Sequence, residues 1–220
     1  MDNLNDDIIG FILSKSCTKT IGKCLIINKR WKQIIEIYSW LFNLTFTSMK
    51  IKDSSLKYFK NVKQINLTNC NQITNLGLEY LNGAHTVNFE GCYQITDAGL
   101  KHLKGVHSAN LSFCNNITDI GLMYLKGVHT IYLYDCNQIT DIGLEYLKGI
   151  HTIYLYNCKK VTDAGLKHLK GVHTIDLTNC NMITDNGLKY LKDVHTIHLY
   201  GCNKITENGL LHLKKAIIYR

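Results

Sequence analysis

The chain contains no proline among its 220 residues. Every reversal of direction must therefore be made by residues that tolerate a left-handed backbone, and glycine and asparagine are the candidates. The abundance of Ile, Asn, Lys and Tyr beside that absence follows A/T-rich codons and is not a structural signal. No run of about 18 apolar residues occurs, so no membrane-spanning helix is expected. The acidic start, Met1 to Asp7, lacks the charged-then-apolar layout of a secretory leader. The nine cysteines are accordingly expected as reduced thiols in the cytoplasm or nucleus. No G-x-S-x-G, H-E-x-x-H or phosphate-cradling glycine loop is present. An enzyme is not expected, and neither is a cofactor. Disorder is excluded as well, because 45% of the residues are hydrophobic. The net charge of +8 permits a polyanionic partner, so its placement has to decide.

An internal period is plain. Cys70, Cys92, Cys114, Cys136, Cys158, Cys180 and Cys202 stand 22 residues apart, and so do Gly77 to Gly209 and Leu78 to Leu210. In the unit Val128–Gly149, the residues Val128, Ile131, Leu133 and Cys136 would face one way. Thr130, Tyr132, Tyr134 and Asp135 would face the other, and this alternation predicts a strand. Ile139, Leu144 and Leu147 then predict one or two helical turns, started by Thr140 or Asp141 and stopped by Gly149. One such unit cannot bury its apolar face alone, and stacking neighbours buries it.

The segment Val62, Ile65, Leu67, Cys70 and its later copies resemble the leucine-rich-repeat pattern L-x-x-L-x-L-x-x-C. Cys92, Ile95, Thr96, Asp97, Gly99 and Leu100 resemble the C-x-x-I-T-D-x-G-L stretch of the cysteine-containing subclass that follows F-boxes. The resemblance implies an α/β leucine-rich-repeat solenoid, with parallel strands on the concave face and short helices on the convex face. Members of that subclass run a few residues longer per repeat, so the helices here should be short, with 3₁₀ turns in part. Seven repeats span residues 62–220 and end in a truncated strand at Ala216–Tyr219. A degenerate capping repeat, with Leu41, Leu44, Phe46 and Met49 at strand positions, fills 41–61. The unfinished C-terminal edge invites fraying or self-association.

Residues 1–40 do not follow the repeat. Leu4, Ile8, Ile9, Ile12 and Leu13 lie at helical spacing behind Asn5, Asp6 and Asp7, and Trp31, Ile34 and Ile35 form a later apolar set. Two or three small helices are predicted. Leu4, Asp6, Asp7, Ile8, Ile12 and Leu13 resemble the opening of an F-box, and Lys29, Arg30, Trp31, Ile34 and Ile35 resemble its close. Asn5 stands where that motif has proline, and Ser14–Lys23 match it poorly. The resemblance implies docking on a Skp-type adaptor through Leu4, Asp6, Ile8, Ile9, Ile12 and Trp31. The alternative is a helical cap over the first repeat.

Three columns recur with the period. One cysteine per repeat cannot converge four ligands on a metal, so buried, weakly hydrogen-bonded thiols are expected and no metal. His85, His107, His129, His151, His173 and His195 should form a surface ladder at the strand starts. Lys104, Lys126, Lys148, Lys170, Lys192 and Lys214 should sit at the helix ends, where cations suit the dipole. Charges and aromatics thus fall on different faces, which argues against nucleic acid. Variation is concentrated at outward strand positions. There Tyr132, Tyr134, Tyr154 and Tyr156 would form a patch, with Phe113, Asp135, His198 and Tyr200 beside it. Such a patch suits a protein partner. The expected function is the substrate-recognition subunit of a Skp–cullin–F-box ubiquitin ligase. The alternative is a free-standing leucine-rich-repeat interaction scaffold.

Overall fold

The computed structural model describes residues 29–41 and 43–220. The adaptor-docking expectations for Leu4, Asp6, Ile8, Ile9 and Ile12 lie outside them. A helix, α1 (Lys29–Tyr38), leads into nine three-residue strands: β1 (Asn43–Thr45), β2 (Gln64–Asn66), β3 (Thr86–Asn88), β4 (Ser108–Asn110), β5 (Thr130–Tyr132), β6 (Thr152–Tyr154), β7 (Thr174–Asp176), β8 (Thr196–His198) and β9 (Ile217–Tyr219). They form one parallel sheet in sequence order. The register is fixed by the period: Tyr132 lies opposite Tyr154, and Tyr154 opposite Asp176. Between strands run helices of four or five residues, such as Asp141–Glu145, several continued by a 3₁₀ turn such as Lys101–Leu103. Twenty-two residues leave no room for more, as the short period predicts.

The inward column is a continuous core. Ile131, Leu133, Cys136, Ile139, Leu144 and Leu147 are all buried, as are their counterparts in neighbouring repeats. Each such aliphatic side chain contributes about 1.5–3 kcal/mol when fully buried. These side chains belong to one core cluster that runs through all the repeats, so each repeat helps to cover its neighbours.

Polar groups tie one repeat to the next. Asp119 accepts the Thr140 N–H at Oδ1 (2.8 Å) and the Thr140 hydroxyl at Oδ2 (2.6 Å). The same Thr140 oxygen accepts the Ile142 N–H (3.2 Å) and so caps the helix it begins. Asp97–Thr118, Asp141–Thr162, Asp163–Thr184 and Asp185–Thr206 repeat the pattern. Thr140 is therefore the cap, and Asp141 serves the following repeat. Asn75 is the exception. Its amide donates to the Thr96 hydroxyl (2.8 Å), and Thr96 makes no side-chain cap bond.

At the N-terminal end, Ile34 and Ile35 are wholly buried, and Trp31 and Tyr38 pack half-buried against the core. The buried Ser39 hydroxyl donates to the Glu36 carbonyl (3.1 Å) and accepts the Asn61 N–H (3.2 Å), fastening the end of α1 to the degenerate repeat. One strand position differs from expectation: Met49 is exposed rather than inward. The link from β1 to its helix (Thr45 to Asp53) is one residue shorter than that from β2 (Asn66 to Asn75), so Met49 swings outward. At the C-terminal end, β9 is paired on one side only, and Ile217 and Tyr219 are exposed. Arg220 closes this end against Glu207 and the Ile205 carbonyl.

Candidate protein-recognition surface

Of the outward columns on the concave face, two carry the tyrosines. The first runs Asn66, Asn88, Asn110, Tyr132, Tyr154, Asp176, His198, Tyr219. The ladder continues past the strands, with Leu133 N–H to the Tyr154 carbonyl and Asp135 N–H to the Tyr156 carbonyl, both 2.9 Å. This aligns the second column: Thr68, Glu90, Ser112, Tyr134, Tyr156, Thr178, Tyr200.

Four expected residues come together. Tyr132 and Tyr154 stack at 4.4 Å and 3°. Tyr134 meets them edge-on at 6.2 and 6.0 Å, and Tyr156 lies 5.7 Å from Tyr134. All four are half-buried, so the rings brace one another yet still present surface. Burial raises the Tyr134 phenol to about 12, with further contributions from Asp176, Tyr154, Tyr132 and Glu90. Burial also raises Tyr154, beside Tyr132 and Asp176. Beneath Tyr134 the buried Ser112 hydroxyl accepts the Tyr134 N–H at 3.3 Å.

The other four lie apart from this cluster. His198 stacks instead on Tyr219 (4.5 Å, 12°), and Tyr200 is exposed beyond it. Phe113 and Asp135 occupy the corner column Asn69, Gly91, Phe113, Asp135, Asn157, Asn179, Gly201, where φ lies between 55° and 70°. Variation in that column therefore has a backbone cause, since Asn, Asp and Gly are the residues that adopt this conformation readily. Asp135 accepts the Asn157 amide. Phe113 is the bulky exception (φ 62°) and stays exposed. Such a residue is held at a cost of order 1–3 kcal/mol. Replacing Phe113 with Asn should raise the melting temperature by a few degrees, at about 2–4 °C per kcal/mol for a chain of this size. A lowered melting temperature would show that packing of the ring outweighs the strain.

Sequence reasoning missed Asp176. Its Oδ1 accepts the Thr178 N–H (2.8 Å), just as Asn66, Asn88 and Asn110 serve the residue two ahead. The only signal was the break it makes in a file of aromatic residues. The outward positions of the seven repeats carry Glu90, Asp135 and Asp176 but no Lys or Arg. The lysines of the helix ends, Lys104 to Lys214, are exposed on the opposite side, and Lys148 pairs there with Glu145. A chain of net charge +8 thus has a locally acidic concave face.

The remaining columns are structural. All seven repeat thiols are buried and unpaired. Each donates to a carbonyl of the preceding repeat, as Cys136 does to Leu111 (3.2 Å) and Cys158 to Leu133 (3.1 Å), and backbone amides of that repeat's corner, those of Phe113 and Cys114 for Cys136, face the sulfur in turn. Burial pushes Cys92 and Cys114 up to about 12, which removes their nucleophilicity at neutral pH. The histidines form a file of near-parallel rings 4.4–4.6 Å apart. Desolvation inside that file, and then repulsion from His129 and His173, lowers the His151 imidazole. No group of three or more His, Cys, Asp or Glu side chains is placed to hold a metal among the described residues. No described helix is long and apolar enough to cross a membrane.

Strand, turn, capped short helix and buried cysteine, stacked in order, define a leucine-rich-repeat solenoid. A leucine-rich-repeat family model matches residues 110–126 and 172–192. Among solved structures, the chain is similar to an internalin, InlF, from Listeria monocytogenes (19% identity, TM-score 0.66, covering 92% of this chain and 67% of that one). It is similar to a chain of the complex of TLR13 with ssRNA13 (14%, 0.61, 80% and 32%). It is also similar to a chain of the yeast Rad7 and Elc1 complex (12%, 0.52, 85% and 70%). No curated protein matches the sequence.

Proposed function

We propose that this chain is a protein-recognition module that holds its partner on the concave sheet, as the substrate-recognition subunit of a Skp–cullin–F-box-type ubiquitin ligase. The observation that carries the first part is the half-buried cluster of Tyr132, Tyr134, Tyr154 and Tyr156. Rigid aromatics bury much area on binding and lose little entropy, which makes them strong anchors. The acidic concave face, with its lysines turned away, favours a protein over a nucleic acid. Proximity would do the work, with the chain itself making and breaking no bonds. Unpaired thiols stacked in register fit a reducing compartment, cytoplasmic or nuclear. The outer edge of β9, without a strand partner among the described residues, would allow contact between copies.

The second part rests on the F-box resemblance, with Leu4, Asp6, Ile8, Ile9, Ile12 and Trp31 meeting a Skp-type adaptor. A second reading, the free-standing scaffold, has an observation of its own. Ile34 and Ile35, which close the motif, are wholly buried in a helix that packs on the degenerate repeat, as a cap requires. Capture of the intact chain by an immobilised Skp adaptor separates the two. The ligase reading expects capture, and its loss in Ile8→Lys with the melting temperature unchanged. No capture of the intact chain leaves the scaffold.

A further inference from the structure

The concave file of rings has a missing member. Along the first outward column, Tyr132 and Tyr154 stack at 4.4 Å, and His198 and Tyr219 stack at 4.5 Å. Between these pairs stands Asp176 on β7, cross-strand neighbour of Tyr154 on one side and His198 on the other. The second column is interrupted at the same strand: Thr178 lies between Tyr156 and Tyr200. One strand therefore carries small polar residues, and both its neighbours carry aromatic rings.

The register sets the scale of the gap, and Asp176 sets its charge. Tyr154 and His198 are two strand steps apart, about 10 Å at the usual parallel spacing. A planar group midway would lie about 5 Å from either ring, close to the spacing the stacked rings keep among themselves. The floor is a carboxylate. Its Oδ1 is engaged by the Thr178 N–H, and no cation pairs with Asp176 among the described residues. The electron-rich face of Tyr154 attracts a cation placed within about 6 Å of its centroid, and the flat His198 ring opposite offers a stacking face. A carboxylate adds charge-assisted hydrogen bonds. A lysine ammonium would satisfy the charge but not the flat space, whereas a guanidinium satisfies both.

We infer that β7 forms an aromatic-walled slot for an arginine side chain of the protein partner, the guanidinium entering between Tyr154 and His198 above Asp176. This rests on the concave-face reading and names the chemistry that face selects. The partner segment crossing β7 is thus basic, in keeping with unpaired carboxylates on an otherwise cationic protein.

The test is an NMR titration of the full chain with N-acetyl-arginine methylamide, following backbone signals of 174–178 and the rings of Tyr154 and His198. Saturable shifts confined to this strand are expected. The uncharged citrulline analogue should not saturate, and the lysine analogue should bind at least threefold more weakly. Asp176→Asn should weaken the arginine probe at least fivefold. That variant keeps the fold, because asparagine makes the same turn bond at Asn66, Asn88 and Asn110. Equal binding of the citrulline analogue, or an unaffected Asp176→Asn, overturns the slot. So does saturation at β7 by adenosine monophosphate without saturation by arginine, which would assign the gap to a nucleobase. If no probe saturates while the tyrosine substitutions described below still weaken the partner, the slot falls and the concave-face reading stands.

Discussion

Gly143→Ala is expected to destabilise the chain by roughly 2–4 kcal/mol, a fall of about 5–15 °C in melting temperature. A Cβ at this helical position would meet Asp119 Oδ1 at 2.3 Å and Leu122 Cδ1 at 3.0 Å. Asp119 is not free to withdraw, because both its oxygens are engaged by Thr140 and that threonine caps the next helix. The added methyl must either break this relay, leaving a partly buried N–H unmade, or push two repeats apart. Gly149→Ala makes the control. There φ is +80° but nothing lies within 4 Å of the added carbon, so only the left-handed backbone resists, costing about 1 kcal/mol. Thermal denaturation of the two variants separates crowding from dihedral strain. A smaller loss at Gly143 than at Gly149 would refute the crowding argument.

The period carried most of the architecture. Side-chain alternation around Ile131 and Leu133 predicted strands, and a single 22-residue spacing forced every strand into the same register. The inward set, the short 3₁₀-tailed helices and the tyrosine patch all followed from that spacing. What stayed hidden depends on contacts that cross repeats. Thr140 and Asp141 are adjacent in sequence, yet one caps its own helix and the other reaches Thr162 in the following repeat. Nothing in the local pattern separates those duties. The column of Phe113 and Asp135 looked like display, because a left-handed corner is invisible until the backbone is traced. Asp176 looked like one more variable residue, and only the register, which sets it between two aromatic stacks, gives it meaning. The exposure of Met49 came from one residue missing in a turn, a change too small for a periodic pattern to register.

The largest expected effect on binding belongs to Tyr132 and Tyr154. Their rings lie face to face at 4.4 Å, braced edge-on by Tyr134, so on the proposed reading each is already ordered before a partner arrives. Truncating a preorganised anchor of this kind costs about 2 kcal/mol or more, roughly thirtyfold in affinity. The pair removed together should cost more than a hundredfold. Stability should change little, since the inward residues Ile131 and Ile153 are untouched. The convex side supplies the competing surface: Ile120 and Ile142 stand 61% and 64% exposed in adjacent repeats. The measurement that decides between the two faces is the affinity of a partner recovered on the intact chain, taken by calorimetry for Tyr132→Ala/Tyr154→Ala and for Ile120→Ser/Ile142→Ser. Recognition by the concave sheet predicts that the tyrosine variant loses at least a hundredfold while the isoleucine variant binds as the parent does. Full affinity in the tyrosine variant, with loss in the isoleucine variant, would place the partner on the helices and contradict the account.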